Sequence, residues 1–344
     1  MYLTENIVCN SFSKQVLIWF PVLLIYFLPI AFQDGVGSDY PTYYNYFYNG
    51  DHIYYFYKNE YLYYYLVELV RYLGIPQLQF VFISFIQTIL IFFIIFKLKN
   101  NGYLGWLVFI LFFMVTGIYH NQMNGLRQFV ALLTLPLILL YIYENKRVKA
   151  ILLSFFAFFF HVSSIIPIII IFLLNLCYKK INHRLFLIFF LVSPLLYFYD
   201  WSSYIFNFFS SNELFYAKYE DSEFNVNKSA DGIVLKFLSL PFLISFLWLF
   251  YFKNKDYMGD RLMYLCICLW SLTHFMFLMS INIGVANRVY LYFVFFIIFP
   301  LYYICVKSRI MFLFVILFYL LFYFFKVIVF AKSEYMYFFN GAWL

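Results

Sequence analysis

Residues 150–178 read Ala150-Ile-Leu-Leu-Ser154-Phe-Phe-Ala-Phe-Phe-Phe160-His161-Val-Ser163-Ser164-Ile-Ile-Pro167-Ile-Ile-Ile-Ile-Phe-Leu-Leu-Asn175-Leu-Cys177-Tyr178. The run is apolar except at its centre, where His161, Ser163, Ser164 and Pro167 interrupt it. A helix needs about 20 apolar residues to cross a hydrocarbon core of roughly 30 Å. The stretch therefore reads either as one long tilted helix or as two short helices meeting at the polar break. Its flanks are basic on both sides: Lys146, Arg147 and Lys149 before it, Lys179, Lys180 and Arg184 after it. Lys and Arg collect on the cytoplasmic side of a membrane. Only a segment that enters and returns keeps both flanks there, so the hairpin is the favoured reading and the single crossing the alternative.

The rest of the chain fits that choice. Of 344 residues, 66% are hydrophobic and 11% charged, against about 45–50% and about 25% in an ordinary soluble domain. That excludes a soluble enzyme, a disordered chain and a disulfide-rich secreted module. Nine further segments are apolar enough to span: Val16–Phe32, Leu78–Phe96, Tyr103–Tyr119, Gln128–Tyr143, Leu185–Tyr199, Ile233–Phe252, Leu262–Ser280, Val289–Cys305 and Ile310–Phe330. With the hairpin the total is about eleven. The fold class is an all-α, polytopic integral membrane protein forming one domain over residues 1–344. Placing the N-terminus with Lys14 in the cytoplasm puts most of the 23 basic residues inside, most of the 16 acidic residues outside, and the C-terminus outside. The net charge of +7 then reflects orientation rather than a nucleic-acid surface. A single crossing at 150–178 would invert everything after it. The first span lacks a small-residue cleavage site and is expected to be retained. Five cysteines, Cys9, Cys177, Cys266, Cys268 and Cys305, lie in or beside apolar runs. They suggest neither a disulfide framework nor a metal site, and no cofactor is expected.

Two outer loops are long, 33–76 and 200–232. The first contains a Tyr-rich stretch, Asp51–Tyr72, which would strand Glu60, Glu68 and Arg71 in lipid if it spanned. It reads as one helix lying in the interface, with tyrosines at headgroup depth. The second is acidic, with Glu213, Glu220, Asp221, Glu223 and Asp231, and reads as a solvated face. The aromatic content of 27%, with 51 Phe, is mostly what A/T-rich codons would supply at lipid-facing positions; the alternative is an aromatic binding surface, with Tyr54–Tyr72 as the stretch that could line a sugar-binding interface.

A few polar groups at span ends need a reason. Arg127 follows Asn124-Gly-Leu at the outer start of a span, and Arg288 follows Ala286-Asn287 in a similar setting. Each could simply snorkel to water. Each could also act with the free N–H groups of a helix start to clamp an anion, for which a planar guanidinium is suited. His161 reads as a buried histidine capped by Ser163 or Ser164, or as a general base near the apex of the hairpin. Asp39, in Gly37-Ser-Asp39-Tyr-Pro, reads as a turn residue, or as a carboxylate that orders a hydroxyl or pairs with one of the two arginines.

Four pieces of sequence stand in the order found in the EpsG-like and Wzy-type polysaccharide polymerases, and the chain resembles that family. They are Gly37-Ser-Asp39-Tyr-Pro-Thr-Tyr43, Arg127-Gln128-Phe-Val-Ala131, Phe160-His161-Val-Ser163-Ser164-Ile165 and Asn287-Arg288-Val-Tyr-Leu-Tyr292. Gln33-Asp34 stand where this family usually has a basic residue. The resemblance implies a GT-C-like helical bundle in the bacterial inner membrane, polymerising O-antigen or exopolysaccharide by glycosyl transfer without a metal. Its substrate would be an undecaprenyl-diphosphate-linked oligosaccharide met at the periplasmic face. A chain-length regulator and a flippase are possible partners. By the same resemblance Arg127 and Arg288 would bind diphosphate, His161 and Asp39 would be catalytic, and Tyr43, Gln128, Ser164 and Asn287 would line the substrate. An O-antigen ligase would share the donor and the outer arginines. A flippase or other transporter would be expected to show matching repeats with discontinuous helices, and no such repeat is visible.

Overall fold

In the computed structural model, residues 12–178, 260–282, 284–329 and 338–339 are described. The expected spans Leu185–Tyr199 and Ile233–Phe252 and the loop 200–232 lie outside them. Contacts divide the chain into two units, Met1–Ile168 with Ile316–Leu344, and Ile169–Val315.

In the first unit the order is α1 (Phe12–Ala31), β1 (Gln33–Asp34), α2 (Tyr40–Asn49), α3 (Ile53–Tyr57), α4 (Tyr61–Leu73), α5 (Leu78–Asn100), α6 (Gly105–Val115), α7 (Ile118–Asn124), α8 (Leu126–Tyr143) and α9 (Arg147–Phe160). A 3₁₀ turn, Val162–Ser164, leads to α10 (Ile165–Cys177). The second unit holds α11 (Arg261–Asn282), α12 (Gly284–Phe293), a 3₁₀ turn Val294–Ile297 and α13 (Ile298–Lys307). Then come α14 (Arg309–Phe324), the π-helical Phe325–Val329 and β2 (Phe338–Phe339). Among the described residues, five helices are long and apolar enough to cross a membrane by themselves, or six if the bent pair α6–α7 counts as one. The protein is thus polytopic and helical.

The stretch that opened the sequence analysis is not one continuous helix. α9 stops at His161, whose backbone is extended (φ −156°, ψ 112°), and helix resumes after Val162–Ser164. The expected span Tyr103–Tyr119 needs correcting, because it is broken. Gly117 sits at φ 67°, a left-handed conformation that suits glycine. Thr116 donates its hydroxyl to Phe112 O (2.7 Å) and accepts Ile118 N–H (3.1 Å), so the backbone groups freed by the break stay satisfied. The two halves meet at 56°. The expected single Tyr-rich helix is likewise two, α3 and α4, divided at Asn59 (φ 62°) and Glu60.

Helix α8 is buried along almost its whole length, from Phe129 to Leu140, and packs on α5 and α9. By contrast α14 exposes Ile310, Leu313, Leu317, Leu320 and Leu321, as a lipid-facing helix would. Lipid tails are as apolar as leucine, so interhelical polar contacts help decide which faces meet. Ser84 of α5 donates to Phe27 O of α1 (3.0 Å), and Gln77 Nε2 donates to Ala31 O (2.7 Å). In the second unit, Asp260 Oδ1 caps α11 through Leu262 N–H (2.9 Å) and Met263 N–H (3.2 Å), and Thr273 donates to Phe293 O (2.8 Å).

Polar contacts also sort the first unit into two ends. At one, Lys97 Nζ binds both oxygens of Glu144 (2.7 and 2.8 Å), Lys146 binds Glu144 Oε2 (2.8 Å), and Lys99 donates to Gln15 at the start of α1 (3.3 Å). Burial works against the Glu144 carboxylate, but the hydrogen bonds from Lys146 and Lys97 outweigh it and hold its pKa below the usual carboxylate range. At the other end, β1 pairs antiparallel with β2, Gln33 opposite Phe339 and Asp34 opposite Phe338. Asn124 Oδ1 accepts Asp39 N–H (2.8 Å) there. If the basic end is cytoplasmic, thiol labelling will show it in oriented membrane vesicles. With the native cysteines replaced by alanine, Asn145→Cys should react with an impermeant maleimide from the cytoplasmic face and Ser38→Cys from the opposite face. The reversed pattern would contradict the orientation.

Candidate functional site

The end of the first unit opposite the basic cluster gathers several of the singled-out residues around a buried ion pair. Arg127 is the second residue of α8, and its Nη1 binds Glu60 Oε2. Glu60 is the residue before α4. Its side chain keeps 4% of its exposure, that of Arg127 17%, so the guanidinium is the more open partner. The other oxygen of Glu60 accepts the N–H of Val162 (3.3 Å), the first residue after His161. One carboxylate therefore joins the start of α8 to the break after α9.

Tyrosines wall the pair. The Arg127 guanidinium lies 4.0 Å from the centroid of Tyr55 and 5.8 Å from that of Tyr63, within range of a cation–π attraction. Tyr55 and Tyr63 meet edge to face with centroids 5.0 Å apart, and Tyr43 meets Tyr63 at 6.2 Å. The hydroxyls of Tyr46 and Tyr55 share a 2.6 Å hydrogen bond. Burial pushes the Tyr43 phenol up to about 12, against the pull of the neighbouring Arg127 charge and its hydrogen bond, with Asp39 adding to the rise. Burial raises Tyr55 and Tyr63 as well, again opposed by Arg127. These phenols stay neutral at physiological pH, so Glu60 supplies the carboxylate charge that balances Arg127.

The helices are cut to put these groups together. Gly50 and Gly74, both at φ 75°, end α2 and α4 in left-handed caps. Asn59 and Glu60 turn the chain so that Tyr55 and Tyr63, from different helices, face the same guanidinium. Gly37 (φ 81°) lets the loop after α1 close on Asn124: an added Cβ would come within 2.6 Å of Asn124 Oδ1. That contact holds Gly37-Ser-Asp39 against the turn that precedes Arg127.

The expected residues are placed as follows. Arg127 and Tyr43 are in the site. His161 is buried beside it, its Nδ1 hydrogen-bonded to Ser163 Oγ (2.7 Å), and Ser164 is buried two residues beyond Val162. Gln128 is half-buried next to Arg127. Asp39 is exposed at the start of α2. The carboxylate that pairs with Arg127 is Glu60; the pairing of Asp39 with Arg288 lies outside the described residues. Nor does Arg127 merely snorkel. Asn287 and Arg288 lie within α12, and their side chains are outside the described residues. Among the described residues no group of three His, Cys, Asp or Glu side chains could hold a metal. Glu60 and Asn124 were not anticipated as site residues, whereas Tyr55 and Tyr63 lie in the stretch Tyr54–Tyr72 that the sequence offers as a sugar-binding interface. The available signal was a lone carboxylate at a helix break in a tyrosine-rich run.

Along the helices the site is about 21–24 Å from the basic end, counting about 1.5 Å per residue from Arg147 to His161 and from Tyr143 to Arg127. That is well over half of a hydrocarbon core of roughly 30 Å, so the two ends of the first unit are separated by most of a membrane's thickness. The fold and the site are those of a polytopic membrane protein with a guanidinium set in a tyrosine box at the end of its first unit away from the basic cluster. The EpsG family model matches residues 16–340, nearly the whole chain, and the protein belongs to the EpsG family of polysaccharide polymerase-like membrane proteins. No curated protein and no solved structure matches it.

Two measurements check the site. Glu60→Ala leaves a buried guanidinium without its counter-charge and should cost about 3–5 kcal/mol, read as a lowered thermal midpoint in detergent; an unchanged midpoint would show that the pair is solvated. The raised phenols contribute stability that is complete below the ordinary tyrosine pKa near 10 and is lost as pH rises toward about 12. Alkaline unfolding curves should therefore be flatter for Tyr43→Phe than for the natural protein.

Proposed function

We propose that this EpsG-family protein is an O-antigen or exopolysaccharide polymerase. In this reading it joins undecaprenyl-diphosphate-linked repeat units at the periplasmic face of the bacterial inner membrane. The observation that carries the reading is Arg127, a guanidinium in a tyrosine-lined site far from the basic end, which this reading assigns to the outer headgroup region. The donor's diphosphate would be at that depth, with its prenyl chain in the lipid and its sugars outside. A planar guanidinium fork suits phosphate oxygens, and aromatic rings suit sugar faces.

In the reaction the acceptor hydroxyl attacks the anomeric carbon, the new glycosidic bond forms, and the bond to the diphosphate breaks. The electron pair leaves with the diphosphate. A fixed guanidinium stabilises charge that develops on a leaving group, and this is the role assigned to Arg127, with Arg288 as its expected second cation. His161 and Asp39 are the expected helpers of the acceptor hydroxyl, and Tyr43, Gln128, Ser164 and Asn287 the expected substrate contacts. No step calls for a metal.

The topology proposed with it has about eleven crossings, an interfacial α3–α4 pair, a cytoplasmic N-terminus and a C-terminus outside. It is supported by the β1–β2 pairing, which brings residues 338–339 to the outer end of α1. An odd number of crossings has that consequence. The test is Arg127→Ala in a strain deleted for the gene. At normal protein levels the variant should leave single-repeat chains and lose long polymer, by about 100-fold or more. Long polymer from Arg127→Ala would contradict the proposal, and bare acceptor core would point to a ligase.

A further inference from the structure

We infer that Glu60 takes the proton of the attacking hydroxyl, and that arrival of the diphosphate is what releases it to do so. The inference rests on the polymerase reading above and adds a residue and an order of events to it.

Glu60 is the group already touching Arg127. Asp39 is exposed, and Nδ1 of His161 is engaged by Ser163. A carboxylate offers about four acceptor positions on its two oxygens, of which Arg127 Nη1 and Val162 N–H occupy two. In the three segments that meet at the pair, three buried polar atoms have no partner: Arg127 Nε, Tyr63 Oη and Ser164 Oγ. Each can donate a hydrogen bond, and none has an acceptor. Such a vacancy of acceptors is costly in a buried site, and it matches a ligand rich in acceptor oxygens and carrying negative charge. A diphosphate is such a ligand.

When the diphosphate enters, it competes with Glu60 for the guanidinium. It carries more charge than a carboxylate and binds through several oxygens. As the fork of Arg127 turns to it, Glu60 is left among Tyr43, Tyr55 and Tyr63, all neutral phenols, and beside the His161–Val162 peptide. A carboxylate deprived of its counter-cation holds a proton more readily. The hydroxyl proton then passes to Glu60 as the acceptor oxygen bonds to the anomeric carbon, and the departing diphosphate keeps the electron pair beside Arg127. Release of the prenyl diphosphate lets Arg127 return to Glu60, whose proton is lost to water. The base is thus held in check by the same arginine until a donor is bound.

The test uses membrane vesicles from the deletion strain, carrying its own lipid-linked repeat units and the full-length protein. Glu60→Gln should slow elongation by about 100-fold or more. The purified Glu60→Gln protein should bind undecaprenyl diphosphate at least as tightly as the natural protein, because its arginine is no longer neutralised. Glu60→Asp should retain part of the rate with the acid limb of its pH–rate profile displaced, which a purely structural role would not produce. If Glu60→Gln fails to fold, judged by its thermal midpoint, the Glu60→Asp profile decides. Elongation by Glu60→Gln within about threefold of the natural rate, loss of diphosphate binding in the folded Glu60→Gln protein, or an unshifted Glu60→Asp profile would overturn the assignment. Natural-sequence vesicles that form no polymer would overturn the polymerase reading itself.

Discussion

The ion pair between Glu60 and Arg127 is the interaction around which the site end of the first unit is built. A charge near hydrocarbon is costly unless it is paired and hydrogen-bonded. Arg127 is fixed at the start of the buried helix α8, so Glu60 must be brought to it. That requirement places the helix break at Asn59, and with it the two short helices that carry Tyr55 and Tyr63 to the guanidinium. The second oxygen of Glu60 extends the constraint to Val162, and hence to the interruption beside His161. Three segments far apart in sequence, around residues 60, 127 and 162, are held by one carboxylate.

The opposite end follows the same rule with a different outcome. Lys97 and Lys146 share Glu144, a two-to-one arrangement that leaves net positive charge. Such an end suits the cytoplasmic side. At the site end the pair is matched one to one and enclosed in neutral phenols. At the first end the carboxylate is fully engaged by its lysines, whereas in the segments of the second the buried donors of Tyr63 and Ser164 have no protein acceptor.

Much of this was legible in the sequence. Long apolar runs gave the helices Leu78–Asn100 and Leu126–Tyr143 nearly at their observed bounds, because the length of a span is set by the bilayer rather than by tertiary context. The polar break at His161 was visible as an interruption of an apolar run. The break at Thr116–Gly117 was not, since one threonine and one glycine barely dent the hydropathy there. Arg127 and His161 stood out because polar groups at the ends of apolar runs or interrupting them are conspicuous, and Tyr43 entered through the family resemblance alone. Glu60 was missed for a physical reason: an acid among tyrosines reads as solvated when no partner is adjacent in sequence. Its partner is 67 positions away, and pairing at that distance depends on the fold.

The most direct test of the account is an experimental structure of the protein with undecaprenyl diphosphate bound. The account predicts diphosphate oxygens on the guanidinium of Arg127, inside the wall of Tyr43, Tyr55 and Tyr63, with Glu60 separated from the arginine. Diphosphate bound elsewhere, with the Glu60–Arg127 pair intact, would contradict it.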